Sequence, residues 1–137
     1  MSKVIQRIQH ALQRAESIRP KAGGFPYLAE CLRQAGAVHN YWELPSCQCT
    51  FLTDEGAVTM TGRPLVEGMV DVQVFDQAAL IRALRADQAG ETSFPEFLRG
   101  SWEAGVVRYD VDFNARTVSY FGANGEVYVE EYPAVTL

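Results

Sequence analysis

Residues 25–38 read FPYLAECLRQAGAV and residues 94–107 read FPEFLRGSWEAGVV, and the relation between these two stretches decides the fold. At an offset of 69 residues, with no gap, Phe25-Pro26 falls on Phe94-Pro95, Ala35-Gly36 on Ala104-Gly105, Val38 on Val107, Gly56 on Gly125 and Val58 on Val127. Seven identities in 34 aligned positions are few, but the exchanges between them keep their character: Leu28 with Phe97, Glu43 with Asp112, Thr50 with Ser119, Phe51 with Tyr120. The matches also fall where chain geometry needs them. Proline is accommodated in a first helical turn, where its missing N–H would have no partner, and glycine ends a helix or closes a turn. Two unrelated segments would share some of this turn chemistry, which is the competing explanation; duplication is the one we carry forward.

Outward from the repeat, the helical period gathers Val4, Ile5, Ile8, Leu12, Ala15 and Ile18 close to one face and predicts a first helix over residues 3–18. Pro20 and Gly23-Gly24 stop it, and a second helix starting at Phe25-Pro26 carries Leu28, Leu32 and Ala35 inward as far as Gly36. The period then changes to alternation, with Val38, Trp42 and Leu44 apolar and His39, Tyr41 and Glu43 between them, as in a half-buried strand. Two more strands are predicted, from Cys47 to Thr53 and from Ala57 to Thr61, with turns at Pro45-Ser46 and Asp54-Glu55-Gly56. Val70, Val72 and Val74 alternate with Asp71 and Gln73 and read as an extra strand. Asp76 then caps a helix presenting Leu80, Ile81 and Leu84 and ending at Gly90, and Ser93 with Glu96 has capping-box spacing ahead of Phe97 and Leu98.

Leu12 lands on Ile81 at the same offset, so each half reads helix, helix, strand, strand, strand. The expected fold is α+β: internally duplicated helix-helix-βββ halves, about residues 1–62 and 70–133 of one domain spanning 1–137, forming antiparallel sheet packed on helices. Leu12, Leu32, Trp42, Phe51, Leu84, Phe97, Val111 and Val118 occupy the apolar phase of their elements and are the expected core. A groove or open sheet face at the pseudo-two-fold axis relating the halves is the natural place for a ligand.

Composition narrows the function. Twelve Lys and Arg against 17 Asp and Glu give a net charge of −5, without the basic surplus that phosphate neutralisation demands, so nucleic acid is not an expected partner. No apolar stretch approaches the ~20 residues that span a bilayer, and the first residues are too often interrupted by charge for a secretory signal, so no membrane is expected either. Cys31, Cys47 and Cys49 cannot all pair within one chain, which fits a reducing cytoplasm. With His39, the pair Cys47 and Cys49 invites a zinc reading, but the spacing is too short and no second Cys/His pair follows; core-packing cysteines, with Cys49 opposite Trp42 and His39 facing outward, are expected instead.

The stretch Arg19-Pro20-Lys21-Ala22-Gly23-Gly24-Phe25-Pro26-Tyr27-Leu28-Ala29-Glu30, with Ala104-Gly105-Val106-Val107-Arg108-Tyr109-Asp110-Val111, resembles the YbcV-like family of bacterial and prophage-associated proteins over nearly the whole chain. That family is a domain of unknown function whose members are sometimes labelled phage envelope proteins, so the resemblance implies a fold and no catalytic residues. Strand parity offers Tyr41, Glu43, Asp110, Asp112, Tyr128 and Glu130 as a shared ligand-binding set on the solvent face, where aromatic rings beside carboxylates suit a partly polar ligand. The expectation is a small binding module for a small molecule or a protein, self-association remaining open, with no cofactor or metal called for. An enzyme or a phage structural or accessory protein is the alternative, but no nucleophile, base and orienting group can be assembled from the chain.

Overall fold

A computed structural model describes residues 2–137. Helices α1 (Lys3–Ile18) and α2 (Phe25–Gln34) precede strands β1 (Ala37–Glu43), β2 (Cys49–Thr53) and β3 (Gly56–Met60); α3 (Gln77–Gln88) and α4 (Phe94–Glu103) precede β4 (Val106–Asp112), β5 (Thr117–Gly122) and β6 (Val127–Glu131). The strands form a single antiparallel sheet in the order β3-β2-β1-β4-β5-β6, so the two meanders meet at β1 and β4. The fold is α+β and the helix-helix-βββ pattern occurs twice, as the repeat predicts.

The local signals act as the residue types dictate. Asp76 Oδ1 accepts from Ala79 N at 3.0 Å, and Ser93 with Glu96 forms the reciprocal capping box. Pro26 and Pro95 both sit in a first helical turn. Gly36 and Gly105 leave α2 and α4 at φ +94 and +90, and a Cβ on either would meet Asp54 Oδ1 at 2.6 Å or the Phe75 backbone at 2.6 Å. Conformational freedom and close approach therefore both select glycine at these two positions.

The inner halves match residue for residue. Tyr41 opposite Thr50 in β1–β2 has its counterpart in Asp110 opposite Ser119 in β4–β5. The β1–β2 bulge lies between Ala37 and His39, and the β4–β5 bulge lies between Val106 and Arg108, again 69 residues on. Cys47 and Arg116, the positive-φ non-glycine residues, are likewise related by the offset. Across the seam, Tyr41 pairs with Asp110, its own equivalent, so the pseudo-two-fold axis passes through that pair.

The correspondence ends at the outer hairpins. Asp54 and Glu55 alone reverse the chain between Thr53 and Gly56, whereas three residues, Ala123 to Gly125, do so between Gly122 and Glu126. Gly56 and Gly125 are thus not structural equivalents. The extra residue shifts β6 by one place, and with a side-chain period of two that flips each β6 side chain relative to the ungapped alignment.

The helices cover one sheet face. Its strand positions Cys49, Phe51, Tyr109, Val111, Val118 and Tyr120 are buried, as are Ile8, Ala11 and Ala15 of α1, Leu32 of α2, Leu80 and Leu84 of α3 and Phe97 of α4. Two expected core residues, Leu12 and Trp42, are only half-buried: the buried stripe of α1 runs one position earlier than the reading through Leu12, and Trp42 borders a cavity described below. The extra strand expected at Val70–Val74 is absent among the described residues. Alternation does not supply a partner edge, and the segment is tied down at its ends instead, by Leu65 N on Pro45 O and by Asp76 N on Ala104 O, leaving Met69, Val70, Val72 and Val74 exposed.

Leu80→Ala, at a position with no solvent exposure, is expected to cost ~2–5 kcal/mol in a denaturant titration. Leu12→Ala should cost less than Leu80→Ala in the same titration, since part of the Leu12 side chain already meets water.

Candidate functional site

Along the pseudo-two-fold axis, between the sheet and the two helix pairs, lies a cavity of about 560 Å³. Its roof is the meeting of the two interhelical loops, where Gly23 N donates to Gln88 O at 2.9 Å and Lys21 packs against Gly90, its repeat equivalent. Its floor is the central sheet: Asn40 and Trp42 of β1 lie directly opposite Val111 and Tyr109 of β4, with Tyr120 of β5 beside them. The walls are repeat pairs, Phe25 with Phe94 at the starts of α2 and α4 and Leu28 with Phe97 one turn further along. The volume falls within the ~300–1,000 Å³ of ordinary ligand sites.

The polar groups in this cavity fall into three sets. Asn40 is satisfied: its amide donates to Cys49 Sγ and Thr50 O, both at 3.1 Å, and its carbonyl accepts from Trp42 Nε1 at 3.0 Å, which fixes the indole edge. Glu130 is satisfied as well. It accepts two hydrogen bonds from the Arg85 guanidinium, at 2.8 and 3.0 Å, one from Gln88 Nε2 at 3.1 Å and one from the Tyr128 hydroxyl. The Arg85 hydrogen bonds, helped by Tyr128 and Gln88 against the cost of burial, hold its carboxyl down to about 2.

The third set has no partner. The Tyr109 and Tyr120 rings lie 5.4 Å apart, each residue about one-twentieth exposed, and among the described residues neither hydroxyl makes a hydrogen bond within the protein. Burial pushes both phenols far above their ordinary value, so they stay protonated. Thr92 Oγ1, at the roof, is also buried without a partner. Asp87 lines the cavity from the last turn of α3 with no hydrogen bond or ion pair to its carboxylate among the described residues; burial raises its pKa, with Arg19 pulling the other way. Buried polar groups are normally paired, so the unpaired Thr92 Oγ1 beside the Tyr109 and Tyr120 hydroxyls and the Asp87 carboxylate leaves hydrogen-bonding capacity in this cavity unused.

The six residues proposed from sequence divide between the two faces. Tyr41, Glu43, Asp110 and Asp112 come together on the open face. There His39 Nδ1 lies 3.1 Å from Asp110 Oδ1 and its ring stacks on Tyr41 at 5.7 Å. Asp112 is occupied in capping the turn, accepting from Asn114 N and Ala115 N, and Glu43 lies across from Arg108. These groups share an uncovered sheet surface, with His39 as a member that the carboxylate pattern omitted although it shares their parity.

Tyr128 and Glu130 are not beside them. The one-residue shift of β6 places both on the helix-covered face, opposite Tyr120 and Val118, where Glu130 lines the cavity. Asp87, Tyr109 and Tyr120, the unpaired cavity groups, escaped the sequence reading; the only signal for them was their position on inward faces close to the axis. Cys49, opposite Trp42, is fully buried and its thiol is pushed up to about 11 by burial, which makes it a packing residue.

Comparison with known proteins places this chain in a family. Residues 13–131 match the family described as "Protein of unknown function (DUF1398)". The chain belongs to that family. An uncharacterized protein of Mycobacterium tuberculosis and another of Mycobacterium bovis are each 50% identical to it over 135 residues, covering 98% of this chain and 82% of theirs. No helix among the described residues is long and apolar enough to cross a membrane.

Glu130 binds its proton less tightly in the fold than at its ordinary value of 4.5, so its contribution to stability is present above about pH 4.5 and fades as pH falls through about 2. Glu130→Gln should lower stability at pH 7 by about 1–2 kcal/mol, discounted because Arg85 is half-exposed. The gap to the parent protein should close in denaturation curves taken from pH 4.5 down to 2.

Proposed function

We propose that this protein is a binding module for a small molecule held in the axial cavity. The observation that carries the reading is that Tyr109 and Tyr120, whose hydroxyls make no hydrogen bond within the protein among the described residues, line a ring-walled space of about 560 Å³ in which Thr92 Oγ1 is also buried without a partner. A cavity kept only for packing would be dry and apolar, since an unpaired buried hydroxyl costs about 1–3 kcal/mol. Aromatic walls with a few convergent polar groups are the usual make-up of a ligand site. The open-face set of Tyr41, Glu43, Asp110 and Asp112 is a weaker candidate, because it lies on an uncovered sheet surface and its Asp110 and Asp112 carboxylates are already engaged by His39 and by the backbone. Residence in a reducing cytoplasm is part of the proposal, supported by three free, buried thiols.

A second reading follows from the resemblance to the prophage-associated YbcV-like family: an accessory role through protein contact. The exposed apolar run Met69, Val70, Val72 and Val74 is the feature that favours it.

Mass spectrometry of small molecules released from the purified chain, followed by thermal-shift measurement with those found, tests the main reading. A ligand at a hundredfold excess over its Kd should add about 2.7 kcal/mol of stability, a rise of several degrees in Tm. Leu28→Phe places at that wall the side chain the other half carries, and Leu28→Trp fills more of the space. Both should fold, and Leu28→Trp should abolish the shift. A ligand that binds equally well to Leu28→Trp would place the site elsewhere.

A further inference from the structure

We propose that the ligand of this cavity is an organic cation, an amine on an aromatic or apolar body, whose charged nitrogen pairs with Asp87 against the surrounding rings. The proposal rests on the cavity being the binding site and names the chemistry it selects.

Asp87 is the starting point because its place is electrostatically adverse. It lies in the last turn of α3, where the helix dipole favours a cation and disfavours a carboxylate. It is half-buried, its carboxyl is raised by burial, and no side chain donates to it among the described residues. The equivalent position in the first half is Ile18, so the fold does not require an acid there. The same cavity contains the opposite solution: Glu130 is given Arg85, Gln88 and Tyr128. One carboxylate is neutralised from within the protein and the other is left facing the cavity.

The walls suit the same occupant. Phe25, Trp42, Phe94, Phe97, Tyr109 and Tyr120 surround the space, and an ammonium group over such rings gains electrostatic attraction that grows as water is excluded. The Tyr109 and Tyr120 oxygens have free lone pairs for N–H donors. An anion would meet Asp87 with no buried cation to oppose it, because Arg19 and Lys21, which also line the cavity, are exposed to solvent that screens them. A neutral ligand would leave Asp87 as costly as it is in the empty cavity.

The test is calorimetric titration of the full chain with three probes sharing one indole body: tryptamine, tryptophol and indole-3-propionate. Tryptamine should bind at least about tenfold more tightly than either of the others. Asp87→Asn, which keeps the side-chain shape, should remove that preference while leaving tryptophol binding unchanged. It should also leave the free protein as stable as the parent at pH 7 or more so, since it relieves an uncompensated carboxylate. Equal or tighter binding of the alcohol or the carboxylate, or an amine preference that survives Asp87→Asn, would overturn the cationic ligand. If that binding is still lost in Leu28→Trp, the cavity reading stands alone; if no probe of any charge binds, the aromatic cation is overturned and the cavity reading is decided by the mass-spectrometric test.

Discussion

The ladder joining β1 to β4 is the constraint on which the rest of the molecule depends. A half-molecule of two short helices and three strands would leave β1 or β4 as an open edge with its backbone groups unpaired. Its apolar sheet face would also be too small to support a core by itself. Pairing β1 with β4 removes both problems. Because the pairing is antiparallel and between equivalent strands, it generates a two-fold relation in the same way that an isologous interface does between subunits. With Tyr41 opposite Asp110 the axis is placed, and the helix pairs must then stand on either side of it.

The cavity is a consequence of that arrangement. Two helix pairs related by a two-fold axis touch where their interhelical loops meet, at Gly23, Lys21, Gln88 and Gly90. The residues nearest the axis face one another across a space rather than interdigitating. Symmetry supplies the room, and departures from symmetry supply the chemistry. Asn40 stands where the other half has Tyr109, Trp42 where it has Val111, and Ile18 where it has Asp87. A single additional residue in the β5–β6 turn carries Glu130 and Tyr128 onto the helix side, where Arg85 is waiting.

Two halves that share a framework but differ along the axis can therefore hold an asymmetric molecule. The same logic explains why the open face is less suited to a ligand. There the symmetric positions are filled by polar side chains, His39 pairing with Asp110 across the seam, and nothing encloses them. Enclosure matters because a polar contact or a ring face is worth more where water is excluded.

By itself, the sequence determined the element types, the repeat, the caps at Asp76 and Ser93, the glycine exits at Gly36 and Gly105 and the register of Trp42 against Cys49. All of these depend on interactions within a few residues or on a local turn, so the residues that cause them stand side by side in the chain. What only the tertiary structure decided depends on distant partners. The face of β6 hinges on one turn residue that an ungapped alignment cannot see. The Val70–Val74 run has strand alternation but pairs with no strand among the described residues. Asp87, Tyr109 and Tyr120, far apart in sequence, share a cavity only because β1 and β4 pair about an axis and leave space beside it.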